Sequence, residues 1–250
     1  KTFRSIFVFF VRALIVTGFN DMSSKFLGQD NIVNLLRTAV RILLICSGVT
    51  LIMVAAQIDL SVGSMVALSG VVYALLLKSG FGFFDAAVLT LVLGSIMGYI
   101  NGLLVTKLRI VPVIATLVTL YVFRGIARAL TPKGSGLIKG NMPEGINDFA
   151  RADVFLGLPA AFYVAVAVIV IMVIVQKMTV LGKYAAAIGG NRTAAELSGI
   201  NVIRTIWILY IIVGVLSSIG GIASASYISM GDSKIGKLME LDVIIAVLLG

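Results

Sequence analysis

The sequence predicts an all-α protein that crosses a membrane several times. Hydrophobic residues make up 60% of its 250 residues and charged residues only 12%, whereas a soluble domain is about half apolar and a quarter charged. Several apolar runs reach about 20 residues, the length that a helix needs to cross the hydrocarbon core of a bilayer. We therefore expect a polytopic membrane protein with about eight transmembrane helices in this chain.

The apolar runs place the candidate spans in order along the chain. The first is interrupted by Arg12, and an amphipathic helix on the membrane surface is the alternative there. A polar loop at 20–37 separates it from the second span. No tandem sequence repeat is evident, although the order of spans permits a structural one. The predicted spans are 5–19, 38–56, 57–77, 86–105, 112–130, 154–175, 205–230 and the start of an eighth from 241.

The third run, 57–77, follows the second span almost without a break, and Asp59 is its only charged residue. Asp59 could cap a helix at the membrane surface. It could instead mark a helix that is broken inside the membrane, where irregular backbone must face protein or water. In the second case Asp59, Ser61 and Ser64 are candidate residues of a translocation path. Asn101 is a fourth candidate, with an interhelical hydrogen bond as its alternative role.

Two other spans carry patterns with helical spacing. Gly94, Gly98 and Gly102 recur every four residues in the fourth span, and such a small-residue face predicts a seam where another helix approaches closely. Arg124 and Arg128 share one face of the fifth span. They mark the membrane edge or line an outer vestibule.

The polar loop at 177–204 lies between two long apolar runs, and a short helix is predicted within it. Thr193 and Glu196 have the spacing of a capping box. Gly199 can adopt the left-handed conformation that ends a helix, and two adjacent glycines before the helix allow a sharp turn. An ordinary loop with one helical turn is the alternative.

The amino-acid composition and motifs argue against several kinds of site. There is no histidine, and Cys46 is the only cysteine, so neither an intrachain disulfide nor a cysteine or histidine metal site is expected. No G-x-x-x-x-G-K-[ST] loop is present to hold nucleotide phosphates, and no catalytic residue can be named. The net charge of +9 fits loops near anionic lipid headgroups, because no basic run with interleaved aromatics suggests nucleic acid.

Three segments resemble permease subunits of ABC importers for ribose, xylose and related simple sugars. The longest match is IGGNRTAAELSGINV in the central loop, followed by IDLSVGSMVALSGVV and NGLLVTKLRIVPVIATLVTLYVFRG. The segment 231–250 resembles the family more weakly. The family usually has glycines before the Ile-Asp pair, where Ala55, Ala56 and Gln57 stand in this chain.

The resemblance implies that residues 1–250 form a single transmembrane permease domain, part of a subunit with about ten helices. It also implies that the loop at 177–204 is cytoplasmic and receives an ATPase subunit. Charge does not orient the chain, since the two sides would carry eight basic residues each. The implied docking residues are Gly189, Gly190, Asn191, Thr193, Ala194, Ala195, Glu196, Leu197, Ser198 and Gly199.

Partners and location are likewise implied by the resemblance. They are an ABC ATPase subunit that carries ATP and Mg²⁺, an external or periplasmic solute-binding protein, a second permease subunit and a small sugar, in the bacterial cytoplasmic membrane. The chain itself would hold no cofactor and would not be an enzyme. An ion-coupled secondary transporter or channel is the alternative, for which Asp59 is the one ionisable mid-membrane candidate.

Overall fold

The computed structural model describes residues 10, 14, 16–19, 21–23, 25–132, 136–139, 153–155 and 157–249. Residues 1–39 and 40–250 form two units. In the first unit the described residues among 10–22 are helical, and the rings of Phe19 and Phe26 stack with 5.5 Å between their centroids. The predicted span at 5–19 lies mostly outside the described residues.

Helices dominate the described chain, which confirms the predicted all-α class. Five of them, α1, α3, α4, α5 and α8, are long and apolar enough to cross a bilayer. The helices are α1 (Gln29–Val54), α2 (Val62–Lys78), α3 (Phe83–Thr106), α4 (Pro112–Ala129), α5 (Ala160–Met178), α6 (Val180–Gly190), α7 (Arg192–Leu197), α8 (Val202–Ile228) and α9 (Met239–Leu249). Four short strands pair antiparallel, β1 (Leu137–Lys139) with β4 (Met230–Asp232) and β2 (Asp153–Phe155) with β3 (Leu158–Pro159).

Several predicted boundaries were wrong. Helix α1 begins at Gln29 rather than after a loop ending at 37, because a helix can continue past the apolar stretch and carry polar residues such as Asn31 and Asn34. The predicted sixth span began at 154, but the paired strands β2 and β3 come first and α5 starts only after Pro159. Proline suits the start of a helix because the N–H groups there have no acceptor within the helix, so nothing is lost when proline lacks one.

Helix α8 lies at the centre of the second unit and packs against α2 and α3. Gly94 and Gly98 of α3 lie so close to α8 that a methyl group on either would overlap backbone oxygens of Gly214 or Tyr210. Gly102 faces Trp207 of α8, the indole N–H of which donates to Thr106 Oγ1 at 2.5 Å. The predicted small-residue seam is therefore the α3–α8 interface.

Helices α1 and α8 end in the same way, which reveals a short internal repeat. Each is followed by a residue with left-handed backbone, Ala56 (φ 55°) or Ser229 (φ 56°). Three residues later Asp59 or Asp232 accepts a hydrogen bond from the N–H two positions on, at 2.8 Å in both cases. We name residues 55–63, which include the first two residues of α2, the first break and residues 229–238 the second break.

The two breaks share the pattern D-x-x-[VI]-G, which is DLSVG in the first and DSKIG in the second. Its glycines, Gly63 and Gly236, each lie seven residues after the left-handed Ala56 or Ser229, and they contact each other. The similarity covers only this short segment, so the structural repeat of spans that their order permits stays a prediction. The pattern is too short to be noticed in the sequence without the structure.

Candidate functional site

Three of the four residues predicted for a translocation path meet at the first break. The Asp59 carboxylate accepts hydrogen bonds from the backbone N–H and the hydroxyl of Ser61, at 2.8 and 2.6 Å, and from the Asn101 amide at 3.2 Å. The same amide donates to Ser61 Oγ at 2.8 Å. Ser64 Oγ donates to the backbone oxygen of Ser61. All four side chains are fully buried.

This arrangement favours the interpretation of Asp59 as part of a break enclosed by protein, while its depth in the membrane stays a prediction. A cap at the membrane surface would leave the carboxylate exposed, whereas Asp59 is enclosed within the protein, between the end of α1 and the start of α2. Burying an ionised group is costly unless hydrogen bonds replace its hydration. The donors from Ser61 and Asn101 supply those bonds, so the cluster holds the break in one conformation. Asn101 makes the interhelical hydrogen bond that was its alternative role.

The first break is also held from α8, where the Tyr210 hydroxyl donates to the backbone oxygen of Ile58 at 3.2 Å. Two side-chain oxygens in this region have no hydrogen-bond partner among the described residues, namely Gln57 Oε1 and Asn101 Oδ1. A buried acceptor left without a donor costs about 1–3 kcal/mol.

Arg124 fixes the second break, a role that the sequence did not suggest. Its guanidinium donates to the backbone oxygens of Ser233, Ile235 and Gly236 at 3.0, 2.5 and 3.1 Å. It is 9% exposed, so its side chain is used inside the protein, and its place at the membrane edge or in a vestibule stays a prediction. Arg128, one turn further on, is exposed. The one signal in the sequence for the second break is that its Asp232 and Gly236 have the same spacing as Asp59 and Gly63.

The segment at 177–204 forms two helices, of which only the second was predicted. In α7 the side chain of Asn191 accepts from the N–H of Ala194 at 3.0 Å, so Asn191 is the cap and the predicted capping box of Thr193 and Glu196 was wrong. Glu196 instead pairs with Arg192 at 3.2 Å. Asparagine can cap because its short side chain reaches the free N–H groups of the first turn.

Gly199 ends α7 as predicted, with φ +82°. The N–H groups of Gly199 and Ile200 bond the oxygens of Glu196 and Ala195, a common way to satisfy the last carbonyls of a helix. Asn201 follows at once and caps α8 by accepting from the N–H of Arg204. Fixed ends therefore hold a helix of only six residues in a defined position.

Gly189 and Gly190 lie at the end of α6 rather than in the predicted turn, which occurs at Asn191. A methyl group at Gly189 would overlap the backbone oxygen of Val54 at the end of α1. At Gly190, by contrast, there is open space. Helix α6 thus rests directly on the chain that enters the first break.

The outer face of α7 is open to solvent. Leu197 is 87% exposed, while Ala195 is buried in the same apolar cluster as Ala55 and Ile188. The remaining predicted docking residues after Gly190, namely Asn191, Thr193, Ala194, Glu196, Ser198 and Gly199, are exposed. Leu197 is thus a single apolar side chain on an otherwise polar and exposed helix face. Among the described residues no group of three or more His, Cys, Asp or Glu is placed to hold a metal ion.

Comparison with known proteins gives a consistent result. The family model described as "Branched-chain amino acid transport system / permease component" matches residues 31–250. The ribose import permease protein of Bacillus subtilis is 37% identical over 96% of this chain and 73% of its own length. That of Haemophilus influenzae is 32% identical over 99% and 76%, and the fructose import permease protein of Bifidobacterium longum 32% over 88% and 62%.

No solved structure matches the chain. The family model covers the long helices, both breaks and α7, and the resemblance noted in the sequence is confirmed by relatives that align with nearly the whole chain. The chain therefore belongs to this family of multi-pass membrane permease components of transport systems.

Proposed function

We propose that this chain is the membrane-spanning subunit of an ATP-driven importer that carries a monosaccharide into a bacterial cell. The observation that supports this most is α7, a six-residue helix with capped ends that presents Leu197 to solvent. It lies between two helices long enough to span a membrane, α5 and α8. A subunit without a nucleotide-binding loop needs such a surface to receive force from another protein.

In this proposal α7 faces the cytoplasm and contacts a separate ATPase subunit, which holds ATP and Mg²⁺. The docking residues are those from Gly189 to Gly199 named above. A solute-binding protein delivers the sugar from outside, and a second permease subunit completes the membrane part. ATP-driven closure of the ATPases shifts the permease between two conformations, because nucleotide binding favours one of them.

The substrate class follows from the relatives rather than from the family model. The family model is described by branched-chain amino acid transport, whereas the relatives that cover most of this chain are named for ribose or fructose import. The buried cluster of Asp59, Ser61 and Asn101 is polar. Polar acceptors suit the hydroxyls of a sugar better than the aliphatic side chain of leucine.

Transport by the purified assembly tests the proposal. The permease, its co-purified ATPase and the solute-binding protein would be reconstituted in liposomes and supplied with radiolabelled ribose, fructose or leucine. We expect a sugar to be taken up only when ATP is present on the side of the membrane that carries the ATPase. We expect no uptake of leucine. Uptake driven by a proton or sodium gradient without an ATPase would support the ion-coupled alternative, and leucine uptake would refute the substrate class.

A further inference from the structure

We propose that the turn at 107–111, between α3 and α4, forms a binding site for an anionic phospholipid. The headgroup would contact Lys107, Arg109 and Arg204, and the acyl chains would lie against the exposed faces of α3 and α4. The site depends on insertion of the chain in a membrane and not on the solute that is imported.

The backbone of this turn is fixed by hydrogen bonds to the last turn of α3. The N–H of Lys107 donates to the oxygen of Leu103 at 2.9 Å. The N–H of Ile110 donates to the oxygen of Leu104 at 3.2 Å. Such bonds satisfy the last carbonyls of a helix that ends in a left-handed residue, which here is Arg109 with φ 54°. The turn therefore presents its side chains in one arrangement.

Arg109 occupies a position that favours glycine. A left-handed backbone is unfavourable for a residue with a Cβ atom, and helices that end in this way usually have glycine there. The Arg109 side chain is exposed, so packing within the chain does not account for an arginine at this position. An anionic ligand outside the chain would account for it.

Three basic side chains lie where this turn meets the start of α8. Lys107 lies over the ring of Trp207, with 5.8 Å between its Nζ and the ring centroid. Arg204 precedes Trp207 by three residues, so the two share one face of α8. Lys107, Arg109 and Arg204 are all exposed, and no acidic side chain within the described residues pairs with any of them. Their charges are therefore available to a phosphate group.

Two aromatic side chains lie beside the basic ones. The indole N–H of Trp207 donates to Thr106 Oγ1 at 2.5 Å, which joins the end of α3 to α8. The ring of Tyr99 meets the Trp207 ring edge-on, with 5.3 Å between the centroids. Tryptophan and tyrosine are enriched where the hydrocarbon core of a membrane meets the headgroups. The pair thus indicates that this end of the bundle lies at headgroup level.

Apolar surface begins directly beside the basic residues. Leu108 and Val111 are 59% and 58% exposed. Further exposed apolar side chains follow along α3 and α4, namely Ile96, Ile100, Ile114 and Val118. A free phosphate ion would leave these side chains in contact with water, whereas the acyl chains of a lipid would cover them. A phospholipid therefore matches both the charged and the apolar part of the surface.

The ATPase is the alternative occupant of the basic turn. A soluble protein could cover the charges of Lys107 and Arg109, but the apolar faces that continue from the turn belong to α3 and α4. Both helices are long and apolar enough to span a membrane. The continuity of the charged and apolar surfaces favours the lipid.

The fluorescence of Trp207 tests the site, because the chain has only one tryptophan. The purified permease would be placed in liposomes with equal amounts of phosphatidylglycerol and phosphatidylcholine, and bromine, a quencher, would be carried by one lipid or by the other. One basic residue near the surface favours anionic lipid about fivefold. We therefore expect brominated phosphatidylglycerol to quench several-fold more strongly, and equal quenching by the two lipids would overturn the site.

Substitutions distinguish a lipid site from a structural role. Arg109→Gly and Arg204→Gln should each lower the preference for phosphatidylglycerol about fivefold. Lys78→Gln removes the same charge from an exposed position at the end of α2 and should leave the preference unchanged. Because glycine suits the left-handed backbone, Arg109→Gly should not lower the melting temperature in phosphatidylcholine alone.

Three results would contradict the proposal. The first is that both arginine variants keep the wild-type preference for phosphatidylglycerol. The second is that Arg109→Gly melts at a lower temperature in phosphatidylcholine, which would show a structural role. The third is that Arg109→Gly keeps the lipid preference but no longer recovers the ATPase, which would make the turn a protein contact. If Arg109→Gly does not fold, the result for Arg204→Gln decides.

Discussion

Replacing Gly189 by alanine should disconnect the docking helix from the first break. Helix α6 contacts the end of α1 at this glycine, and a methyl group there would overlap the backbone oxygen of Val54. The obstacle is backbone, so no side-chain rotation can relieve it. Either α6 or the end of α1 must move, and Ala55, which follows directly, begins the first break.

The neighbouring glycine provides a control that differs by one position. Adding a methyl group to a packed interior costs about 1–3 kcal/mol, which we expect for Gly189→Ala. Gly190 has no atom within reach of an added methyl group and lies in the same helix. Gly190→Ala should therefore be neutral or stabilise by about 0.4–1 kcal/mol, because alanine has less freedom to lose on folding.

The assay compares both variants in the complete importer, by recovery of the ATPase, ATP hydrolysis and uptake. Because α7 keeps its exposed face, we expect Gly189→Ala to retain the ATPase and to hydrolyse ATP while uptake falls about tenfold, the equivalent of about 1.4 kcal/mol. Gly190 is one of the proposed docking residues, but a methyl group there meets no atom of this chain and is the smallest side chain a partner could meet, so Gly190→Ala should transport like the wild type. The reasoning is refuted if the two variants transport equally well, or if Gly189→Ala loses the ATPase as well.

Three further substitutions probe the site. Asp59→Asn should lower the free energy of unfolding by about 1–3 kcal/mol, because an amide replaces one acceptor that Asn101 needs; an unchanged melting temperature would mean that the cluster does not hold the break. Arg124→Gln should lower the free energy of unfolding by about 2–4 kcal/mol, since three carbonyl oxygens lose a charged donor. Arg124→Lys keeps the charge and should recover part of that stability. If thermal unfolding shows the same loss in both variants, this reasoning is contradicted. Glu196→Lys should leave stability almost unchanged, because its pair with Arg192 is half exposed, yet should reduce ATPase recovery and uptake; normal co-purification would exclude Glu196 from the docking surface.

The sequence was informative where a pattern is local or long. Apolar runs placed the long helices, since a membrane span needs many consecutive apolar residues. Gly94, Gly98 and Gly102 predicted a close-packed seam because small residues allow close approach, and only the structure shows that the partner is α8. Pro112 was also identified correctly as the start of a span.

Features that depend on tertiary contacts could not be predicted from the sequence. Arg124 serves a segment that lies more than 100 residues later in the chain, so no local pattern could reveal its partner. In the sequence, Asn191 and Thr193 both have side chains that can cap a helix. In the structure, α6 packs against Val54 and ends just before Asn191, so the chain turns there and Asn191 caps α7. The repeat of Asp59 and Asp232 was hidden because two shared residues in five are not distinctive without geometry.

The central claim is that α7 receives the force of a cytoplasmic ATPase, and a cross-link from Leu197 tests it most directly. Leu197→Cys would be made together with Cys46→Ser, which removes the buried native cysteine. In inside-out vesicles with the co-expressed ATPase, a short bifunctional reagent should join the two proteins, and nucleotide should change the yield. A cysteine that reacts only from the outer side of the membrane, or that joins no ATPase in the intact assembly, would contradict the account.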